Sequence, residues 1–173
     1  MFQVWSKAKI AKLSMKEKEQ WFDVLNDKLE EDREISLNDP MLFQKQKEIK
    51  DDYMKYLESC PNCKEFYKYY IYEDQDKIIS VCRINIYEGK HLLEGLQTHR
   101  DYYRMGYASK LIQGMIDDLQ KDGIKTLYSE ARVWNDSSNN LQTKLGFIRY
   151  GEDNNNYLYK LDLVHTFNDL YKG

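Results

Sequence analysis

Apolar residues recur every three or four positions through the first third of the chain and every second position after about residue 65. This change of period separates a helical part from a strand-forming part. Ser14 and Glu17 make the S-x-x-E pattern in which each side chain satisfies the other's orphan backbone donor, and Trp21, Phe22, Leu25 and Leu29 follow at helical spacing. A second helix is expected from Asn38-Asp39-Pro40, where Asn or Asp caps and proline is tolerated in the first turn. It would run through Leu42, Phe43, Ile49, Tyr53, Met54 and Leu57 and stop at Pro61. These stripes read as core rather than partner surface, because charged residues fill the positions between them.

The segments EFYKYYIYE, KIISVCRINIYE and HLLEGLQTH are rich in aromatic and β-branched residues and are separated by short polar turns, so they predict an antiparallel meander. MGYASKLIQGMIDDLQKDG then predicts an amphipathic helix with Ala108, Leu111, Ile112, Met115, Ile116 and Leu119 on one face and Gly123 as its stop. IKTLYSEARV follows as a strand, and a strand-helix-strand crossover makes its flanking strands parallel. A short helix from Ser137 to Leu145 and a hairpin of FIRYG with NYLYKLDL complete the order. The expected fold is an α/β (α+β) unit, a mostly antiparallel mixed sheet with one parallel strand pair, flanked by helices and spanning residues 1–173 as a single domain.

Composition narrows the functional classes. With 26 Lys and Arg against 29 Asp and Glu, the net charge of −3 lacks the basic excess of a nucleic-acid binder, and no nucleic-acid partner is expected. No apolar run approaches the ~20 residues of a membrane span. The opening MFQVWSKAKIAKLS has neither the apolar segment nor the small-residue cleavage site of a secretory signal, so a cytoplasmic location is expected. Cys60, Cys63 and Cys82 are then free thiols. The CPNC pair has no second ligand pair for a metal and reads as a helix-end turn, so no metal site is expected. HExxH, GxSxG, GxxxxGK[ST] and GxGxxG are all absent.

The candidate chemistry lies in HLLEGLQTHRDYYRMGYASKLI, a strand that enters a helix through a loop containing Gly106 and Ala108. Small residues there leave the N–H groups from Arg104 to Ser109 open to an anion favoured by the helix dipole, although a glycine before a helix also serves simply as a turn. Gly95, inside the strand, marks a bulge or a close backbone approach. Alternation puts Glu94 on the face of Leu92, Leu96 and Thr98. It is either a desolvated carboxylate suited to general base catalysis or an ordinary half-exposed sheet glutamate.

YYRMGYASKLI together with the later WNDSSNNLQTKLGF resembles the GNAT superfamily of acetyl-CoA-dependent N-acetyltransferases. The first matches that family's R/Q-x-x-G-x-G/A pyrophosphate loop over Tyr103, Arg104, Met105, Gly106, Tyr107 and Ala108. The second matches its N…Y-x-K-L-G-F motif at Asn135, Lys144, Leu145, Gly146 and Phe147. The resemblance covers nearly the whole chain. It implies an acetyl-CoA co-substrate with its acetyl and pantetheine end along the backbone of Leu96, Gln97 and Thr98. The pyrophosphate would lie on the amides from Arg104 to Ala108 beside Ser109, and the pantetheine arm near Asn135.

It further implies direct transfer to a primary amine of a small-molecule or peptide acceptor, with Glu94 as base and Glu130 and Tyr128 in reserve. Two positions depart from the family pattern. Tyr103 stands where Arg or Gln is usual, and Gln142 where the family has a tyrosine acid, and a carboxamide cannot give up a proton at neutral pH. Both features favour the alternative of a non-catalytic module that binds an acyl-CoA or a protein. Tyr53, Tyr56, Tyr157 and Tyr159 are read as either an aromatic acceptor pocket or core. The last strands of this family frequently pair between subunits, so a homodimer is one expected assembly.

Overall fold

The computed structural model describes residues 1–32 and 41–164. Strand β1 (Phe2–Trp5) leads into a single turn, α1 (Lys7–Ile10), and then into helices α2 (Met15–Asp32) and α3 (Leu42–Ser59). The meander β2 (Phe66–Asp74), β3 (Lys77–Tyr87) and β4 (Lys90–Thr98) is followed by helix α4 (Tyr107–Lys121), strand β5 (Thr126–Arg132), helix α5 (Asp136–Lys144) and the hairpin β6 (Ile148–Asp153) and β7 (Asn156–Asp162). One seven-stranded sheet runs β1-β2-β3-β4-β5-β7-β6. Only β4 and β5 pair in parallel among the described strands.

The capping box forms as expected. The Glu17 carboxylate accepts from the Ser14 N–H at 2.7 Å while Ser14 Oγ accepts from the Glu17 N–H at 3.2 Å, which starts α2. The expected start of α3 at Asn38-Asp39-Pro40, and the side chains of Leu29, Leu42 and Phe43, lie outside the described residues. The helix ends at Ser59, followed by a single turn over Cys60–Asn62 that contains Pro61. At the end of α4, Gly123 takes φ +77°, a left-handed conformation that stops the helix without a Cβ penalty. Each hairpin turns on two residues with positive φ, Gln75-Asp76, Glu88-Gly89 and Asn154-Asn155, the geometry that matches the twist of paired strands.

The two faces of the sheet carry separate cores. On one, α2 and α3 pack Trp21, Phe22, Leu25, Ile49 and Leu57 against Trp5, Tyr69, Ile71 and Val81. On the other, α4 lays Leu111, Ile112, Met115, Ile116 and Leu119 over Tyr70, Cys82, Ile84, Leu93 and Leu127. Each of these five helix residues is at most 1% exposed, and burying such a side chain contributes roughly 1.5–3 kcal/mol. The helices α2 and α3 cover β1 to β4, whereas no described helix packs on the same face of β5, β7 and β6.

Two features were not legible in the pattern. Strand β1 is too short to show a period. It gains its place by pairing Phe2–Trp5 with Tyr69–Tyr72 and by resting the Phe2 ring on Gly114 of α4, where a Cβ would come within 2.6 Å of that ring. The final hairpin also enters the sheet with β7, not β6, beside β5, an order set by long-range pairing.

Candidate active site

The parallel pair β4–β5 shares three rungs, His91 with Leu127, Leu92 with Tyr128 and Leu93 with Ser129. Beyond Leu93 and Ser129 the strands part, β4 remaining paired only to β3 and β5 only to β7. The opening is a cleft of about 880 Å³ walled by β4, β5, α5 and the loop before α4.

Gly95 causes the opening on the β4 side. At φ +59° it forms a bulge, so that the register jumps from Arg83–Glu94 to Val81–Gln97. The His99 N–H donates to the Ile79 carbonyl at 2.8 Å. Strand N–H direction reverses at each residue, so the amides of Leu96 and Thr98 turn away from β3, toward the cleft. Ser80 Oγ donates to the Gln97 carbonyl at 2.7 Å and lies 2.9 Å from Thr98 Oγ1, which fixes this wall from behind.

The loop before α4 supplies the second set of donors. Arg104 at φ +63° and Gly106 at φ +81° alternate with ordinary conformers, the arrangement that curls backbone N–H groups into an anion-binding concavity. No side chain caps α4 at Gly106, so the first-turn donors of Tyr107, Ala108 and Ser109 remain directed at the cleft with the positive end of a fifteen-residue helix behind them. A left-handed non-glycine residue costs about 1–3 kcal/mol, and Arg104 carries that strain within the loop. Of the residues expected from the sequence, Glu94, Leu96, Gln97, Thr98, Tyr103, Arg104, Gly106, Tyr107, Ala108, Ser109 and Asn135 line the cleft. Met105 does not; it is 58% exposed and lies outside the lining.

The far wall holds the expected Asn135 and Gln142 together with Ser129, which the sequence pattern did not single out. Asn135 Oδ1 caps α5 by accepting from the Ser138 N–H at 3.0 Å, leaving its Nδ2 for a ligand. Trp134 beside it is 71% exposed. Ser129 and Gln142, both buried, meet where the strands part, with Gln142 Nε2 donating to Ser129 Oγ at 2.5 Å. Gln142 Oε1 is buried without a partner. The signal for Ser129 was a lone hydroxyl in the apolar register of Leu127 and Ala131.

Glu94 requires two corrections. The bulge shifts the alternation, so Leu93 and Leu96 both pack on the α4 face while Glu94 faces the α3 side with Arg83. It does not share a face with Leu96 and Thr98. Nor are its neighbours apolar. Glu94 Oε2 accepts from Arg83 Nε at 3.1 Å and Asn85 Nδ2 at 2.6 Å, and Arg83 in turn donates to the Tyr56 hydroxyl and lies over the Tyr56 ring. Burial pushes the Tyr56 phenol up to about 12 against the opposing pull of Arg83, so it stays protonated at neutral pH. The tyrosines expected as a pocket divide. Tyr53 packs into the α2–α3 core, Tyr157 and Tyr159 belong to the α4 face, and Tyr56 alone of the four reaches the Glu94 cluster.

A mixed sheet opened between two parallel strands, with an uncapped helix start at its mouth, defines a fold class shared with many acetyltransferases. Residues 19–147 match the acetyltransferase (GNAT) family, and the chain belongs to it. It is accordingly an N-acetyltransferase, its acceptor amine unidentified. It is similar to N-alpha-acetyltransferase 30 of Schizosaccharomyces pombe, at 25% identity over 61% of this chain and 73% of that protein. Among solved structures it resembles the PaiA N-acetyltransferase of Thermoplasma acidophilum in complex with coenzyme A, with a TM-score of 0.67, 13% identity and coverage of 94% of this chain and 99% of that one. The Campylobacter jejuni N-acetyltransferase PseH in complex with acetyl coenzyme A gives a TM-score of 0.63 at 18% identity, over 94% and 99% of the two chains. No helix among the described residues is long and apolar enough to cross a membrane.

Proposed function

We propose that the cleft binds acetyl-CoA and that the chain transfers the acetyl group directly to a primary amine. The observation that carries this reading is the parting of β4 and β5 beyond Leu93 and Ser129 with the uncapped start of α4 at its mouth. The donor set fits the ligand: a curled row of amides at a helix N-terminus suits a diphosphate, and strand amides at Leu96 and Thr98 suit the amides and carbonyl of an extended arm. Bound acetyl-CoA supplies an activated acyl thioester. The residues of the chain do the rest.

The strand amides orient the thioester carbonyl and stabilise charge that develops on it. Glu94, held by Arg83 and Asn85, takes the proton from the incoming ammonium, directly or through one water, with Glu130 across the opening and Tyr128, two residues back along β5, as reserve bases. At the leaving side, the Gln142 carboxamide with Ser129 offers hydrogen bonds and no transferable proton, so the sulfur departs as thiolate.

The acceptor is a small-molecule or peptide amine. The likeness to an N-alpha-acetyltransferase supports a polypeptide α-amine. Three cysteines without a disulfide support a reducing, cytoplasmic setting, residues 1–173 are proposed as one catalytic domain, and the exposed edge strand β6 is the proposed homodimer contact. The second reading, a module that binds without turnover, is favoured by the absence of a phenol at Gln142. Calorimetric titration with acetyl-CoA followed by thiol release against an amine panel separates the two. Binding with release supports transfer, binding without release supports the module, and no binding overturns both.

A further inference from the structure

On the face of β5, β7 and β6 left open by α2 and α3, charge is laid out in order. Glu94 and Glu130 would form the next rung after Leu93–Ser129, on the face of Leu92 and Tyr128, if the strands had not parted, so two carboxylates flank the mouth of the cleft. Glu94 is balanced by Arg83, whereas Glu130 has no ion pair among the described residues. Moving away from the cleft along β5, the Tyr128 ring meets the Tyr150 ring edge-on. Lys90 stands over Tyr128 and Lys160 over Tyr150, 5.5 and 5.9 Å from the ring centroids. Neither lysine has a carboxylate partner among the described residues, although both are exposed and held against aromatic rings.

Resting on the transferase reading above, we propose that this open face binds the N-terminal segment of a polypeptide whose α-amine lies between Glu94 and Glu130 and whose acidic side chain meets Lys90 and Lys160. The spacing sets where the acid falls. Tyr128 is two residues from Glu130 and Lys90 four from Glu94, about 7 and 13 Å along a strand, which an extended chain crosses in two to four residues. A peptide suits the face better than a small molecule, because the cleft does not extend over Tyr128 and Tyr150 and no described side wall encloses them. Complementary charge at such an exposed site selects among acceptors more than it tightens binding.

The test uses the full chain and heptapeptides with a free N-terminus that differ only at the third residue, Asp, Asn or Lys. The expected result is a kcat/KM for Asp roughly tenfold above Asn, with Lys lowest, and a ratio near one in the Lys90→Gln/Lys160→Gln double variant. Moving the Asp beyond the fourth residue should remove the preference. Titration of the same peptides into the protein with CoA present reads the same order without turnover. Loss of all thiol release with the binding order intact would therefore overturn the transferase reading and leave this one standing. Equal binding of Asp and Asn peptides, a preference that survives the double variant, or tighter binding of short ω-amino acids than of the peptides overturns the proposal.

Discussion

One wall of the cleft is made of main chain and the other side of its mouth of side chains, and the two respond to sequence change in different ways. The proposed cofactor wall depends on amides placed by Gly95, Arg104 and Gly106, whose side chains contribute little, so the departure at Tyr103 leaves its donors in place. The proposed acceptor side depends on Glu94, which is defined by Arg83, Asn85 and Tyr56 from other elements. A backbone site is specified by conformation and tolerates substitution at its surface. A side-chain site is specified by partners, and one replacement changes its chemistry.

The sharpest way to break that contrast is Glu94→Gln. The expected outcome is a fall in kcat of about 10²-fold or more, the usual size of general base assistance, with the acetyl-CoA Kd unchanged by calorimetry. Unchanged kcat would move the base to Glu130 or Tyr128. Gly106→Val tests the other wall. A left-handed φ forced on a β-branched residue costs about 1–3 kcal/mol, so acetyl-CoA affinity should fall by about tenfold or more, with a lower melting temperature.

Ser14→Ala belongs to neither wall and serves as the control. It should cost about 1 kcal/mol in denaturant unfolding and leave cofactor affinity alone. Its partner Glu17 is held from 4.5 down to about 2, chiefly by its hydrogen bond with Lys9. A depressed carboxylate contributes stability above its unfolded value and loses it as pH falls, here between about 4.5 and 2. The Glu17→Gln variant should show a shallower loss across that window in pH-dependent unfolding. The smallest effect is expected from Tyr103→Ala, whose exposed ring should matter by no more than about 0.5 kcal/mol, or about twofold in acetyl-CoA Kd. A much larger loss would show that this wall uses side chains after all.

The same division explains what could be read from the chain. The meander, the β4–α4–β5 crossover and the α4 loop were legible because their period, their glycines and their spacing are local. The bulge at Gly95 was visible as a glycine in a strand, but its consequence was not: one inserted residue turns Leu96 and Thr98 to the opposite face from Glu94. Arg83 lies opposite Glu94 by an unbroken count from the Glu88-Gly89 turn, before that irregularity, but the turn expected over Glu88-Gly89-Lys90 moves the register by one residue and hides the pair. Of the two readings open for Tyr157 and Tyr159, acceptor pocket or core, alternation along β7 gives core, since it commits both to the α4 face.

The three tryptophans give this architecture an optical label. Trp5 and Trp21 are 0% and 1% exposed in the core under α2 and α3, while Trp134 is 71% exposed and immediately precedes the cleft-lining Asn135 in the chain. Aqueous iodide should quench the red-shifted emission of Trp134 and leave the blue-shifted emission of the other two. Shielding of that red component as acetyl-CoA is added would report occupancy of the cleft, and the blue component would report the integrity of the opposite core, in one cuvette and without a dye.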